Sequence, residues 1–440
     1  MLNTTKFEVI RAVLFICKIN IYLYSCMFLI VNFSEAQDSN ELQAIEEIRR
    51  NGGAVSLNKF GDAYSISFTG CKNIDFNNIN NIKYLKSLKH LQLKDSNVGS
   101  NFINTVTKFL NIETIDISGT KLKDSEIARL ADLRSLTRIL CDDTDIKNDS
   151  FLAIIQNNRN IFDISANRTK LNKGFTKSLE LLADLRFFSF SGNANAISSS
   201  DLEQLSKLPS IEVLDLSNNN LSDIDVIKLL TSKSLIELTL ANNNIGDIAI
   251  QLLTKIKKLE SINISNTRIS SPGLQNLFEL TNLRNLDVSK TRIDDTGLLN
   301  ISKCTNLKNI NVSHTFVTNK GMEFINNLTN INLLDLSFNR INDTGIISLN
   351  VNLPIKTLIL SGTEISDFGI IHISKFNTIT HLELSSTEIS DRSALSIMKM
   401  EGISFLSVEH TKISAAVMEM ISKKIFLIKS GEIEIPAQFR

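Results

Sequence analysis

At 440 residues the chain is long enough for one to three domains, and 42% hydrophobic with 21% charged residues is the composition of a chain that buries a core, not of a disordered one. Lys plus Arg and Asp plus Glu both count 47, so no net field draws the protein toward nucleic acid or anionic lipid. With only 17 Gly and 4 Pro, the turns must be built by something other than Gly/Pro punctuation.

Residues 1–36 read as an export signal. Lys6, Arg11 and Lys18 make a basic start, Ile19 to Val31 is mostly apolar, and Ser34-Glu35-Ala36 is a small-x-small cleavage site. The run is shorter than the ~20 apolar residues of a membrane span. An uncleaved anchor and a lipoprotein are the other two readings. The second rests on Leu23-Tyr24-Ser25-Cys26, where Tyr24 is bulky and the apolar run continues past the cysteine. Residues 37–62 read as a cap: Asp38 and Glu41 form a capping pair, Leu42, Ile45 and Ile48 make an apolar stripe, and Gly52 ends the helix.

From there a repeat organises the chain. Apolar residues recur at offsets 0, 3, 5 and 10 from Leu88, Ile112, Leu136, Ile161, Leu185, Ile211, Leu235, Leu259, Leu283, Leu307, Ile331, Ile355, Ile379 and Ile403. Eleven of the 13 intervals are 24 residues and the others 25 and 26, a register chance does not produce. Ala63-x-x-Ile66-x-Phe68 is a weaker first copy. Each unit reads as a short strand followed by a short helix. Strand alternation puts Leu286 and Val288 in the core and Asn285 and Asp287 outside. The Asp at offset 12 (Asp124, Asp223, Asp247, Asp295, Asp343, Asp367, Asp391) is placed to cap its own helix. Thr or Asn at offset 8, as in Thr291 and Asn339, is placed to satisfy backbone groups of adjacent coils. Residues 427–440 read as a C-terminal cap, with Ile425 to Ile428, then Ile433 and Ile435, as edge strands. Outside the leader, Cys71, Cys141 and Cys304 are too dispersed for a disulfide framework or a zinc site, and Cys141 and Cys304 fall at apolar positions.

These motifs resemble the leucine-rich repeat family over residues 63–426, and the variant is similar to the 24-residue repeats of bacterial surface or secreted proteins. The resemblance implies an α/β fold: a right-handed horseshoe solenoid of 14 or 15 repeats, with a parallel sheet on the concave face and short helices on the convex face. A single repeat cannot bury its own apolar face, so both ends need caps.

The exposed strand positions differ from the loop that leaves each strand. Offset 4 carries five acids, among them Asp287 and Asp335, and no base, a face that repels phosphate. Offset 2 includes Phe187, Val213, Leu333, His381 and Phe405, exposed apolar residues that can anchor a partner. Offsets 7 and 9 give Arg268, Lys290, Arg292, His314, Phe316, Phe338 and Arg340 in four consecutive repeats. Cations interleaved with aromatics suit an acidic protein segment or an anionic glycan. The plainer reading is a solvated rim whose Arg stems cover neighbouring coils. The histidines form no H-E-x-x-H, and no phosphate-loop or nucleophile-elbow motif occurs, so neither enzyme, metal site nor cofactor is expected. The expectation is a non-enzymatic binder of protein acting outside the cytoplasm, touching membrane only through an uncleaved residues 1–36. The alternative is an envelope or matrix spacer without one defined ligand.

Overall fold

The computed structural model describes residues 39–429, apart from 75, 77, 78, 80 and 109–111 and the side chains of 424–429. The export-signal reading of residues 1–36 and the expected strands at Ile433 and Ile435 lie outside the described residues. Within them no helix is long and apolar enough to cross a membrane.

Helix α1 (Ser39–Arg50) leads into a hairpin of β1 (Ala54–Leu57) and β2 (Ala63–Ser67). Gly52 takes φ +83°, the left-handed turn that ends a helix without a Cβ penalty, and Gly53 N–H then bonds Ile48 O at 2.9 Å. The apolar stripe differs from expectation. Ala44, Ile45 and Ile48 are buried, but Leu42 is exposed and Glu41 is buried in its place. The Glu41 carboxylate accepts the N–H of Ala63 at 2.8 Å, so it serves the start of β2, across 22 residues. The helix thus spends a polar group on a donor that water cannot reach, the general requirement for a buried N–H.

Fourteen three-residue strands follow, from β3 (His90–Gln92) to β16 (Phe405–Ser407). All sixteen form one sheet in chain order, with β1 antiparallel to β2 and the other pairs parallel. Register is constant, because Leu286 pairs with Ile310 and Ile310 with Leu334. Residues at offsets 0, 3 and 5 are buried in every coil from Leu88 to Ile403, and they join in one continuous core. Each fully buried aliphatic side chain contributes about 1.5–3 kcal/mol of transfer free energy, so the spine dominates stability. Cys141 and Cys304 are among these core residues. Burial pushes the Cys304 thiol up to about 12, with Lys303 opposing, so it stays protonated.

The offset-12 aspartates do something other than cap their own helices. Each stands first in its helix, and the cap position belongs to the residue before it: Asp294, Asn342, Ser366 or Ser390. The carboxylate instead reaches the next coil and takes that coil's cap residue. Asp247 accepts Ser270 N–H at 2.7 Å and its hydroxyl at 2.6 Å; Asp295 does the same to Thr318 at 2.8 and 2.7 Å; Asp367 to Ser390 at 2.7 and 2.6 Å. Where the acid is missing, Ser271 and Asn319 continue the relay to Asp294 and Asn342. The relay explains a glycine. A Cβ on Gly321 would lie 2.6 Å from the Asp295 carboxylate, and one on Gly273 2.6 Å from that of Asp247. At the equivalent place Ser393 stands in for glycine and turns the close approach into a hydrogen bond, 2.6 Å to Asp367.

Offset 8 divides by residue type. Asn side chains bridge coils, as Asn339 does by donating to Val312 O at 2.8 Å and accepting Thr315 N–H at 2.9 Å. Thr hydroxyls bond three residues back in their own coil, Thr267 to Ile264 O and Thr315 to Val312 O, both 2.7 Å. They also meet the next coil where it offers an Asn, as Thr315 does with Asn339 Oδ1 at 3.0 Å, so the expected service to backbone groups of adjacent coils is carried by Asn, with Thr bonded to the Asn side chain. At the C-terminal end residues 415–429 are a helix, Ala415–Lys429, so Ile425 to Ile428 form no edge strand. Ile421 in this helix is buried against the last coil, which closes the spine by a helix instead of a strand.

Candidate partner-binding edge

The turn leaving each strand has one conformation throughout. The residue at offset 7 has positive φ in all fourteen coils, from Asp95 (φ 55°) through Lys290 (55°), His314 (53°) and Phe338 (55°) to His410 (57°), with Gly70 (74°) at the same place in the first coil. Strand pairing imposes it: the offset-7 N–H continues the ladder, as when His314 N–H donates to Ser337 O at 3.0 Å and Phe338 N–H to Ser361 O at 2.8 Å. Left-handed backbone is cheap for Gly and tolerable for Asn and Asp, and those types hold most of the column. Three consecutive coils depart from it, with Lys290, His314 and Phe338, where a bulky side chain costs on the order of 1 kcal/mol or more. Arg168, Ser386 and His410 depart too, and the Arg168 guanidinium is occupied by a two-pronged bond to Asp143, both contacts 2.6 Å.

The three strained residues lie on one exposed shelf. The rings of His314 and Phe338 stack at 4.2 Å and 10°. Phe338 in turn lies across Gly362, where a Cβ would meet the ring at 2.6 Å. Offset 9 flanks the shelf, held by backbone pairing to the preceding coil: Arg292 N–H donates to Ile269 O at 2.9 Å and Phe316 N–H to Ile293 O at 2.8 Å. Phe316 is 66% exposed and Phe338 51%, both large apolar surfaces left in water. Among the described residues, Lys290, Arg292 and Arg340 form no ion pair, whereas the Arg268 guanidinium donates to Asn244 O at 2.9 Å.

The concave acids are partly committed to their own turns. Asp287 accepts Ser289 N–H at 2.9 Å, and Asp335 accepts Ser337 N–H at 2.9 Å and its hydroxyl at 2.6 Å. Burial raises the Asp335 carboxyl above its ordinary value; Ser337 opposes this, and the charges of Glu383 and Asp287 reinforce it. The acids are therefore a negative wall beside the shelf more than a row of free hands. The structure brings Lys290, Arg292, His314, Phe316, Phe338 and Arg340 onto one edge, with Arg268 one coil earlier and Asp287 and Asp335 three residues before the shelf on their strands. A second stack stands on the concave face, His381 on Phe405 at 3.9 Å and 4°, with His381 Nε2 3.2 Å from Glu383. The strain at offset 7 escaped notice in the sequence, although Gly119, Gly192 and Gly362 alternating with Asn218, Asn242 and Asn266 at one offset carried the signal.

The family model described as "Leucine Rich repeat" matches residues 207–230, 279–302, 327–349 and 377–398, each taking in one strand and helical turns that follow it. The coils are leucine-rich repeats. Their solenoid is similar in fold to a leucine-rich repeat protein of Leptospira interrogans, with 18% identity, 81% of this chain and 92% of that one covered, and a TM-score of 0.53. An internalin of Listeria monocytogenes gives 16% identity, coverage of 84% and 94%, and a TM-score of 0.47. Mouse RP105 in its complex with MD-1 gives 17%, coverage of 82% and 74%, and 0.49. Among curated proteins none matches the sequence.

Proposed function

We propose that this leucine-rich repeat protein is a non-enzymatic scaffold that acts outside the cytoplasm and captures a protein partner on the edge formed by Arg268, Lys290, Arg292, His314, Phe316, Phe338 and Arg340, with Asp287 and Asp335 guiding the partner from the concave side. One observation carries this reading. Three neighbouring coils place Lys290, His314 and Phe338 where the backbone favours Gly or Asn, at a cost in backbone strain. A stacked, water-exposed aromatic pair flanked by cations is the composition of an interface anchor, and an acidic segment with an apolar residue complements it. The export reading of residues 1–36 supplies the compartment, and mass spectrometry of the mature N-terminus tests it: an intact Met1 in soluble protein rejects export.

The binding test is affinity capture with the triple variant Arg292→Ala, Phe316→Ala, Arg340→Ala. Partner recovery should fall by at least about tenfold, because removing hot-spot side chains costs on the order of 2 kcal/mol each. Undiminished capture would move the reading to a spacer without a defined ligand.

A further inference from the structure

A second feature lies nearer the N-terminal end of the solenoid, at its first coils. The turn between β1 and β2, the start of β2 and the entries to the next strands enclose an open groove of about 410 Å³, lined by Lys59, Phe60, Tyr64, Lys86, Lys89 and Glu113. That is near the small end of ligand pockets, room for one large side chain and its neighbour.

The turn is rigid. Asn58 Oδ1 accepts Phe60 N–H at 2.8 Å and Asp62 N–H at 3.1 Å, Asn58 N–H donates to Asp62 O at 2.9 Å, and Gly61 takes φ +91°. This frame holds Phe60 out with 73% of its surface in water and Lys59 Nζ 4.9 Å from the ring centre. Tyr64, edge-on to His90 at 4.7 Å, is a second aromatic residue of the lining. Of the two nearby carboxylates, Glu113 is held by Lys89, and Asp62 is taken by the Ser87 hydroxyl at 3.3 Å and the Asn58 amide at 3.1 Å. Lys89 is thus committed to Glu113, and the exposed Lys59 stands over the Phe60 ring at the groove's rim.

We infer that this groove binds a peptide segment in which an aromatic residue adjoins a single carboxylate. The ring lies between Phe60 and Tyr64, and the carboxylate meets Lys59 at the rim. Nothing in it depends on the edge at residues 268–340.

Saturation-transfer NMR on the full chain with the peptide Gly-Ser-Asp-Phe-Gly-Ser tests this. Transfer to the phenyl protons is expected, with about fivefold weaker binding of the Asn-for-Asp peptide and of the Lys59→Glu and Phe60→Ala variants. Both side chains are exposed, and an unchanged circular dichroism spectrum shows that the variants fold. Absence of transfer to the wild type, equal transfer to Gly-Ser-Lys-Phe-Gly-Ser, or variants that bind like the wild type would each overturn the assignment.

Discussion

The coils from Leu136 to Ile211 and those from Leu235 to Ile403 share a spine but are tied together differently. In the later half every interval is 24 residues and a relay of Asp, Ser and Asn side chains runs from each helix to the next coil's cap. In the earlier half the intervals of 25 and 26 residues occur, and the tie at one coil runs backward. Asp201, fully buried, accepts Gly174 N–H at 2.9 Å and the Thr176 hydroxyl at 2.6 Å from the coil before, besides the Ser198 N–H at 2.8 Å in its own. The core there is coarser as well. Cys141 and Ala166 are followed at the same offset by Phe190, whose ring lies 4.4 Å from Phe175. The relay depends on the residue at offset 12 and not on the interval: it crosses the 25-residue interval, where Asn148 Oδ1 accepts Asn172 N–H at 3.0 Å. It lapses where Lys173 holds that offset, and there Asp201 of the following coil supplies the tie. The proposed partner edge sits in the regular half, where neighbouring offsets stack in columns.

The largest expected effect separates the two kinds of tie. Asp201→Ala removes the acceptor of Gly174 N–H, Ser198 N–H and the buried Thr176 hydroxyl and should cost about 2–3 kcal/mol, whereas Asp295→Ala, at a partly solvated tie, should cost about 1–2 kcal/mol; urea unfolding checks both. Similar losses would mean that the backward tie is no more demanding than the relay.

Next comes the glycine. Gly321→Ala should destabilise by about 1–3 kcal/mol, since its Cβ meets the Asp295 carboxylate, and adding Asp295→Ala should recover part of that loss. A double-mutant cycle with no coupling would show that helix packing, not the relay, requires the glycine.

At the shelf the expected sign reverses. Phe338→Asn should stabilise the fold by about 0.5–1 kcal/mol by relieving left-handed strain, while partner capture falls. A destabilised variant would make Phe338 a packing residue and remove the main support for the edge.

The smallest effect is acid sensitivity. Burial works against the Asp367 carboxylate, but hydrogen bonds from Ser390 and Ser393 prevail and hold it below its ordinary 3.8. A depressed carboxyl adds stability above its unfolded value and loses it as pH falls through the folded one. Ser390→Ala should therefore flatten the loss of melting temperature below about pH 4. Asp335, raised by burial, has the opposite sign: its share of stability is present below pH 3.8 and is lost as pH rises through its elevated value.

Much of this was legible in the residues, and the limits follow from locality. Leu286 and Val288 announce the inner face because strand alternation is a property of neighbours in sequence, and a register kept across fourteen copies announces the stack. Asp295 looked like a cap for its own helix because an Asp beside a helix start is ambiguous in one dimension. Its actual partner, Thr318, is 23 residues away. Glu41, Leu42 and the helix at 415–429 misled for the same reason, since which face meets the solenoid end is settled by docking.

By itself, then, the amino-acid order determined the repeat, the spine and the residues available at the edge, because periodic burial is written locally. Only the tertiary structure decided that aspartates brace the coil ahead, that His314 and Phe338 stack under strain, and that Phe60 and Tyr64 line one groove. Those depend on coils brought side by side, and no interval along the chain encodes the distance between them.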